Sequence, residues 1–391
     1  MIIDEGMWIA ALSGLLYDVN PEFVSAYVPK TWREYITKVV ALADQLSAGG
    51  QVEKQTVQAR QLLSIFCSLE ADRRKISEEQ YQYWPLKSLE LKNDVFFPQE
   101  PWDRARIESA YGELWKAFAA EADVLHKAHQ GNSDLAVYVE NLLLLMQRYT
   151  WCIPSAYYRS LPDVSFYDHS RMTAALAACL VDQGEDRIDA MLNGEKVDEH
   201  LILLVGGDVS GVQDFIYTIT AKGAASALRG RSFYLQLLTE GVARYVLRRL
   251  ELPITNLIYQ GGGGFYLLAR AGDAERLTEI QREVSRVLLA HHRGDLYLAL
   301  AGEPLVVTDF YAGRISEKWD GLARALRNVK QRRFAELGNE MGTLFIPQGD
   351  GGNQNEQCQV CGREYPKAEK IDDVRKCPPC LSYEKLGDSL R

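Results

Sequence analysis

The apolar pattern of this 391-residue chain changes period near residue 200, and that change limits the folds open to it. Upstream, "YITKVVALADQLS", "YVENLLLLMQRYTW" and "SRMTAALAACLV" repeat apolar residues three and four apart, which predicts helices over about 1–185. "LPDVSFYDHS" supplies a turn and an N-cap before the last of them. "DQGEDRIDAMLNGEKVDEH" is polar and is expected to be a surface connection. Downstream, "LILLVGG" is a short buried strand, and "VQDFIYTI" with "GRSFYLQLLTEGVARYVLRRL" forms a long helical region. "TNLIYQGGGGFYLLAR" gives two strands around a glycine turn. An amphipathic helix ("DAERLTEIQREVSRVLLAHH"), a strand ("LYLALAGEPLVV") and a helix ("ISEKWDGLARALRNVKQRRF") follow. Strand, helix, strand, strand, helix, strand is the ferredoxin-like order. The expected class is α+β, with helices first and a ferredoxin-like domain second. Many proteins share that order without sharing chemistry, so it does not settle function.

"CQVCGREYPKAEKIDDVRKCPPC" places Cys358, Cys361, Cys377 and Cys380 as two Cys-x-x-Cys pairs, fifteen residues apart. Each pair can put two thiolates on one ion, and the spacer lets the second pair close a tetrahedron. Four thiolates with no open position point to a structural Zn²⁺ site. Redox pairs or disulfides suit the spacing and the reducing compartment less well. Cys67, Cys152 and Cys179 are scattered among apolar residues and read as buried thiols. "PQGDGGNQNEQ" serves as a polar linker into the cysteine segment.

Composition narrows the function classes. The net charge of −9 argues against a chain that coats nucleic acid through overall positive charge. No apolar run reaches the roughly 18 residues that a membrane span needs. The acidic "MIIDEGMWIAALSGLLYDV" lacks the basic start of an export signal, so a cytoplasmic protein is expected. The glycines of "LLVGGDVSGVQDFIY" and "GGGG" (261–264) fall at the ends of expected neighbouring strands, so both turns could face one cleft. Glycine permits close approach by a phosphate, and Asp208 and Ser210 offer a carboxylate and a hydroxyl. On their own, such turns are as well explained by tight connections between strands.

The motifs together carry a resemblance. "GGDVSGVQDFIYTITAKGAASALRGRSFYLQLLTE" is similar to the first palm domain of the large subunit of type III CRISPR effector complexes, Csm type. "IYQGGGGFYLL" resembles the glycine hairpin of that palm, and "YTWCIPSAYYRSLPDVSFYDHSRMTAALAACL" the segment joining its HD domain to the palm. The cysteine segment with "LSYEKLGDSL" resembles the zinc-containing insert before a second palm. The matches run in the expected order over most of residues 140–391. The resemblance implies a subunit of an RNA-guided surveillance complex, with guide RNA, target RNA and other type III subunits as partners. Target binding would switch on single-stranded DNA cleavage at an HD metal site. It would also switch on synthesis of cyclic oligoadenylates from ATP, with Mg²⁺ or Mn²⁺, between two palms. Asp208, Ser210, Gly211 and Gly262–Gly264 are the positions matching the ATP-holding half. Lys222, Arg229 and Arg231 are candidate phosphate contacts, with a solvated helix face as the competing explanation. The implied layout is a helical HD-like part over 1–185, a palm over 186–345 and a zinc segment over 346–391.

Two departures qualify the expectation. "LLYDV" has Tyr17 before Asp18 where the family has histidine, and none of the six histidines precedes His126. A phenol is a poor metal ligand at neutral pH, so the nuclease is expected to be lost. Asp18, Asp44 and the pair Asp168–His169 are then packing residues in a retained fold. The sequence also holds no Gly-Gly-Asp-Asp and stops at "YEKLGDSLR", where a second palm would begin. A split gene, a fragment and a lineage without the cyclase each fit that expectation. The competing class is an architectural subunit, degenerate at both sites, that positions guide and target RNA. A homodimer of first palms would have too few carboxylates for a metal pair.

Overall fold

A computed structural model describes residues 3–17, 28–49, 59–67, 77–130, 134–155, 161–311, 314–346, 355–365, 368–371 and 373–390. Asp18 lies outside the described residues. Helices of six residues or more are numbered. The first part comprises α1 (Ile3–Leu16), α2 (Arg33–Ser47), α3 (Arg104–His129), α4 (Leu135–Thr150), α5 (Phe166–Leu180) and α6 (Glu185–Leu192). Helix α6 falls in the stretch expected to be a plain polar connection. Ile188 and Met191 are buried there, and two inward residues spaced by three suffice to dock a short helix. Between α2 and α3, in contrast, no long helix forms among the described residues, and bridges Leu63–Tyr83 and Tyr83–Gln99 tie irregular chain together.

Helix α5 is the axis of this part. Ser165 caps it by accepting from the Asp168 amide. Ala174 through Leu180 are fully buried on every side of the helix, so small residues let α1 and α2 close upon it. His169 and Asp44 meet in this packing: His169 Nε2 lies 2.8 Å from Asp44 Oδ1, with both side chains about 95% buried. Ser47 Oγ reaches His169 Nδ1 (3.0 Å) and Thr173 Oγ1 (2.9 Å). Asp168 is spent on the cap instead, its carboxylate accepting from the Ser165 hydroxyl at 2.6 Å. Tyr17 packs half-buried against the same core.

The second part holds β1 (Ile202–Ser210), α7 (Val212–Tyr217), α8 (Ala224–Arg249), β2 (Leu257–Gly261), β3 (Gly264–Arg270), α9 (Arg276–His292), β4 (Tyr297–Leu305) and α10 (Ile315–Lys330). The sheet order is β2-β3-β1-β4 with every neighbour antiparallel, the split arrangement that the element order implies. The single helical region expected after β1 is in fact two helices, because Gly223 takes φ +79° and opens α8 afresh. The buried amide of Asn256 joins the two parts, its Nδ2 donating to Leu268 O (2.8 Å) and to Ala175 O of α5 (3.2 Å). One apolar core runs from α1 to α10 without a break at residue 185. The chain ends in a small hairpin, β5 (Glu369–Ile371) and β6 (Val374–Lys376), and α11 (Pro378–Ser389), which packs along α8. No helix among the described residues is long and apolar enough to cross a membrane.

Candidate functional site

The four cysteines converge: their sulfurs all lie within 4.8 Å of one another. Cys358, Cys377 and Cys380 are buried, and Cys361 is half-buried. The turn after Cys358 closes through Gly362 N–H to Cys358 O (2.9 Å), and Cys377 stands at the N-terminus of α11. That helix end presents positive potential to the thiols. The Cys377 amide donates to Cys358 Sγ at 3.2 Å. The Cys361–Cys377 sulfur separation of 3.8 Å is far too long for a disulfide. It equals the edge of about 3.8 Å expected of a tetrahedron with ~2.3 Å metal–sulfur bonds. Hydrogen bonding within the cluster, from Cys361 first, draws the Cys358 thiol well below its ordinary range, while Cys358 pushes Cys377 and Cys380 up. Four thiols cannot ionise side by side without a cation, and a divalent ion held here would replace their protons. An all-sulfur, enclosed donor set fits Zn²⁺ as a structural ion.

The glycine segments lie differently from the sequence expectation. Gly206 and Gly207 are inside β1, not in a turn. A Cβ at Gly207 would stand 2.1 Å from the Phe265 ring, so this glycine makes room for a core aromatic, not for a phosphate. The turns begin later. Gly211 takes φ +88° and opens α7, while Gly262 (φ +60°) and Gly263 (φ +86°) form the two-residue connection of the β2–β3 hairpin. Positive φ at both central residues is the tight hairpin geometry that glycine adopts without strain. The hairpin does meet the end of β1: Asp208 pairs with Gly264, and Val209 N–H donates to Gly263 O at 2.9 Å. Asp208, 41% exposed at its side chain, is ion-paired with Lys330 at the end of α10. Ser210 is buried opposite Tyr297, and its hydroxyl is enclosed with no hydrogen-bond partner among the described residues.

The three basic candidates separate. Lys222 is exposed and Arg229 half-buried. Arg231 is only 3% exposed and cannot face RNA, which corrects the sequence expectation. Its Nη1 donates to Phe215 O (3.0 Å), its Nη2 to Cys380 Sγ (3.3 Å), and the rings of Phe215 and Tyr383 flank it. The α8 pattern contains the missed signal. Ala227, Arg231, Leu235, Thr239 and Ala243 step by four along its buried face. Lys330, at the end of the last expected helix, is the other functional neighbour that the sequence pattern does not single out.

Residues 201–347 match the family model described as Csm1 subunit domain B. The CRISPR system single-strand-specific deoxyribonuclease Cas10/Csm1 (subtype III-A) of Methanocaldococcus jannaschii is 30% identical, over 95% of this chain and 51% of the relative. Its namesake from Thermococcus onnurineus is 30% identical, over 90% of this chain and 43% of that one. The chain belongs to the Cas10/Csm1 family. It spans about half the length of the curated relatives it matches. Among solved structures, an apo Csm1–Csm4 cassette aligns with TM-score 0.66 at 23% identity, and one in complex with one ATP with TM-score 0.62 at 24%. Each alignment covers 88% of this chain and 50% of the other, and at these identities the likeness is one of fold.

Proposed function

We propose that this chain is a subunit of a type III-A CRISPR–Csm effector complex for antiviral defence, and that its sheet part is the first palm of a cyclic oligoadenylate synthase. The carrying observation is the junction of β1 with the β2–β3 hairpin. There Asp208, the buried Ser210 hydroxyl, without a partner among the described residues, and the positive-φ glycines 211, 262 and 263 occupy one end of the sheet. An enclosed hydroxyl without a partner among the described residues is costly, and a phosphate oxygen would satisfy it once the adjoining Gly211 turn opened to expose it. Asp208 would share a Mg²⁺ or Mn²⁺ ion with the ATP phosphates, the ion supplying charge neutralisation. The sequence contains no Gly-Gly-Asp-Asp, so a complementing palm must bring those carboxylates. Guide RNA, target RNA and a Csm4-like neighbour are the partners this reading requires. Lys222 and Arg229 remain its candidates for RNA contact.

Nuclease activity is not part of the proposal. Among the described residues, the only group of three or more metal-ligating side chains is the cysteine cluster, and the Asp44–His169 pair is closed by Ser47 and Thr173. The Asp208–Lys330 pair favours the second reading, an architectural subunit whose carboxylate is already neutralised. Reconstitution separates the two. The chain is combined with a palm carrying Gly-Gly-Asp-Asp, guide and target RNA, and labelled ATP. Cyclic product is expected, and Ser210→Ala should cut it at least tenfold, the worth of a charge-assisted hydrogen bond of about 1.5–3 kcal/mol. An assembled complex that makes no product establishes the architectural role.

A further inference from the structure

Arg231 carries a charge that its surroundings do not balance. It is 3% exposed, and no carboxylate lies within ion-pairing distance of it among the described residues. Among the described residues, its buried Nε has no hydrogen-bond partner. A buried guanidinium without a counter-ion is strongly disfavoured, so an anion must stand nearby. The group at hand is Cys380, whose Sγ accepts from Nη2 at 3.3 Å. Four thiolates around one divalent cation carry a net charge of about −2, and this is the missing anion. The other buried cation beside the cluster, Lys376, is already paired with Glu384.

The same guanidinium reaches the other way. Nη1 holds the carbonyl of Phe215, in the short helix that Gly211 opens directly after Ser210. The first cysteine pair grips this turn from its other side. Arg363, two residues beyond Cys361, donates to His292 O at 2.9 Å and pairs with the Asp295 carboxylate. The Asp295 carbonyl lies against Gly211, 1.9 Å from where a Cβ would be. We propose that Arg231 is the counter-ion of the four-cysteine centre and that, through it, the metal-loaded centre positions α7 and the Gly211 turn beside Ser210. Arg231 is thus a positioning residue, and the zinc segment acts on the sheet end and not merely on its own fold. The assignment rests on the metal reading of the cysteines.

The test uses the full chain loaded with Zn²⁺ or Co²⁺, with Arg231→Gln and Arg231→Lys. Loss of the charge and its N–H···S bond should weaken metal binding by about 10–100-fold, the usual effect of an outer-shell partner. The thiolate-to-cobalt charge-transfer band should move to lower energy in Arg231→Gln, and less in Arg231→Lys. A purely space-filling Arg231 would not move that band. Hydrogen exchange over residues 211–217 should quicken when the wild type is stripped by a chelator. In Arg231→Gln it should already be fast with metal bound. If Arg231→Gln fails to fold, Arg231→Lys and the wild-type exchange comparison still decide. An unchanged affinity and band, or exchange in 211–217 indifferent to metal, overturns the assignment. A wild type that takes up no metal overturns the metal reading itself, and this one with it.

Discussion

Asp208 and Lys330 illustrate how one contact can mask a site. The carboxylate is partly exposed and its partner is a lysine on a different element, so the pair is worth little in stability, about 0–1 kcal/mol. The same pair nonetheless competes with any cation brought by ATP. Lys330→Ala should therefore leave the melting temperature nearly unchanged and tighten Mn²⁺-ATP binding several-fold in the reconstituted complex. Equal binding by variant and wild type would show that Asp208 takes no part. His292 offers a pH test. Burial is the main cause that holds its imidazole down to about 4 from an ordinary value of 6.5. The unfolded chain then binds the proton more readily than the folded one. Stability from this group is complete above about pH 6.5 and is lost as pH falls toward 4. His292→Gln keeps a polar partner for Tyr234 and does not titrate. Denaturant melts at pH 7 and pH 5 should show a smaller loss in the variant, and equal losses would refute the assignment.

The crossing of α8 and α11 shows what an element needs beyond its period. At Gly230 a Cβ would stand 1.8 Å from Tyr383 O, and at Gly387 1.8 Å from Ser226 O. Backbone meets backbone there, and neither side can yield as a flexible side chain would. Gly230→Ala gains about 1 kcal/mol in helix propensity but must part the helices, an overpacking cost of about 1–3 kcal/mol or more. A lower melting temperature and faster metal loss are expected. Gly241→Ala, on the exposed face of the same helix with nothing within 4 Å, keeps the propensity gain and should stabilise by about 1 kcal/mol. If both variants behave alike, the crossing is not what fixes Gly230. This crossing also marks the limit of what the sequence disclosed. The strands, their hairpin and the cysteine cluster were legible, because period, paired glycines and Cys-x-x-Cys spacing are local signals. Arg231 was misplaced because its partners, Phe215 and Cys380, lie 16 and 149 residues away. Gly207 was misread because a glycine facing Phe265 across two strands looks, in sequence, like a glycine in a turn.

At the scale of the whole molecule, the division expected at residue 185 is not a break in the core. Helix α5 lies upstream of it, yet it packs against β1, β2 and β3 as well as α1 and α2. Ala174 through Leu180 show no exposed surface, so the helix is enclosed by both parts at once. Polar ties repeat the pattern. Asn256 reaches the Ala175 carbonyl, and Arg270 lies 3.7 Å from Asp182. A fragment of residues 186–391 would lose that helix and present its apolar contact surface to water, as a patch of the kind that drives association. It is therefore expected to bind a hydrophobic dye, and to aggregate or melt well below the full chain even with its cysteine centre loaded. Co-expression with residues 1–185 should restore a single cooperative transition. The measurement is a pair of thermal melts with dye binding at equal metal occupancy. A fragment that melts cooperatively near the full chain's temperature would show that the sheet part is self-sufficient. In that case the helical part is an attached module, and α5 does not complete the core of the sheet.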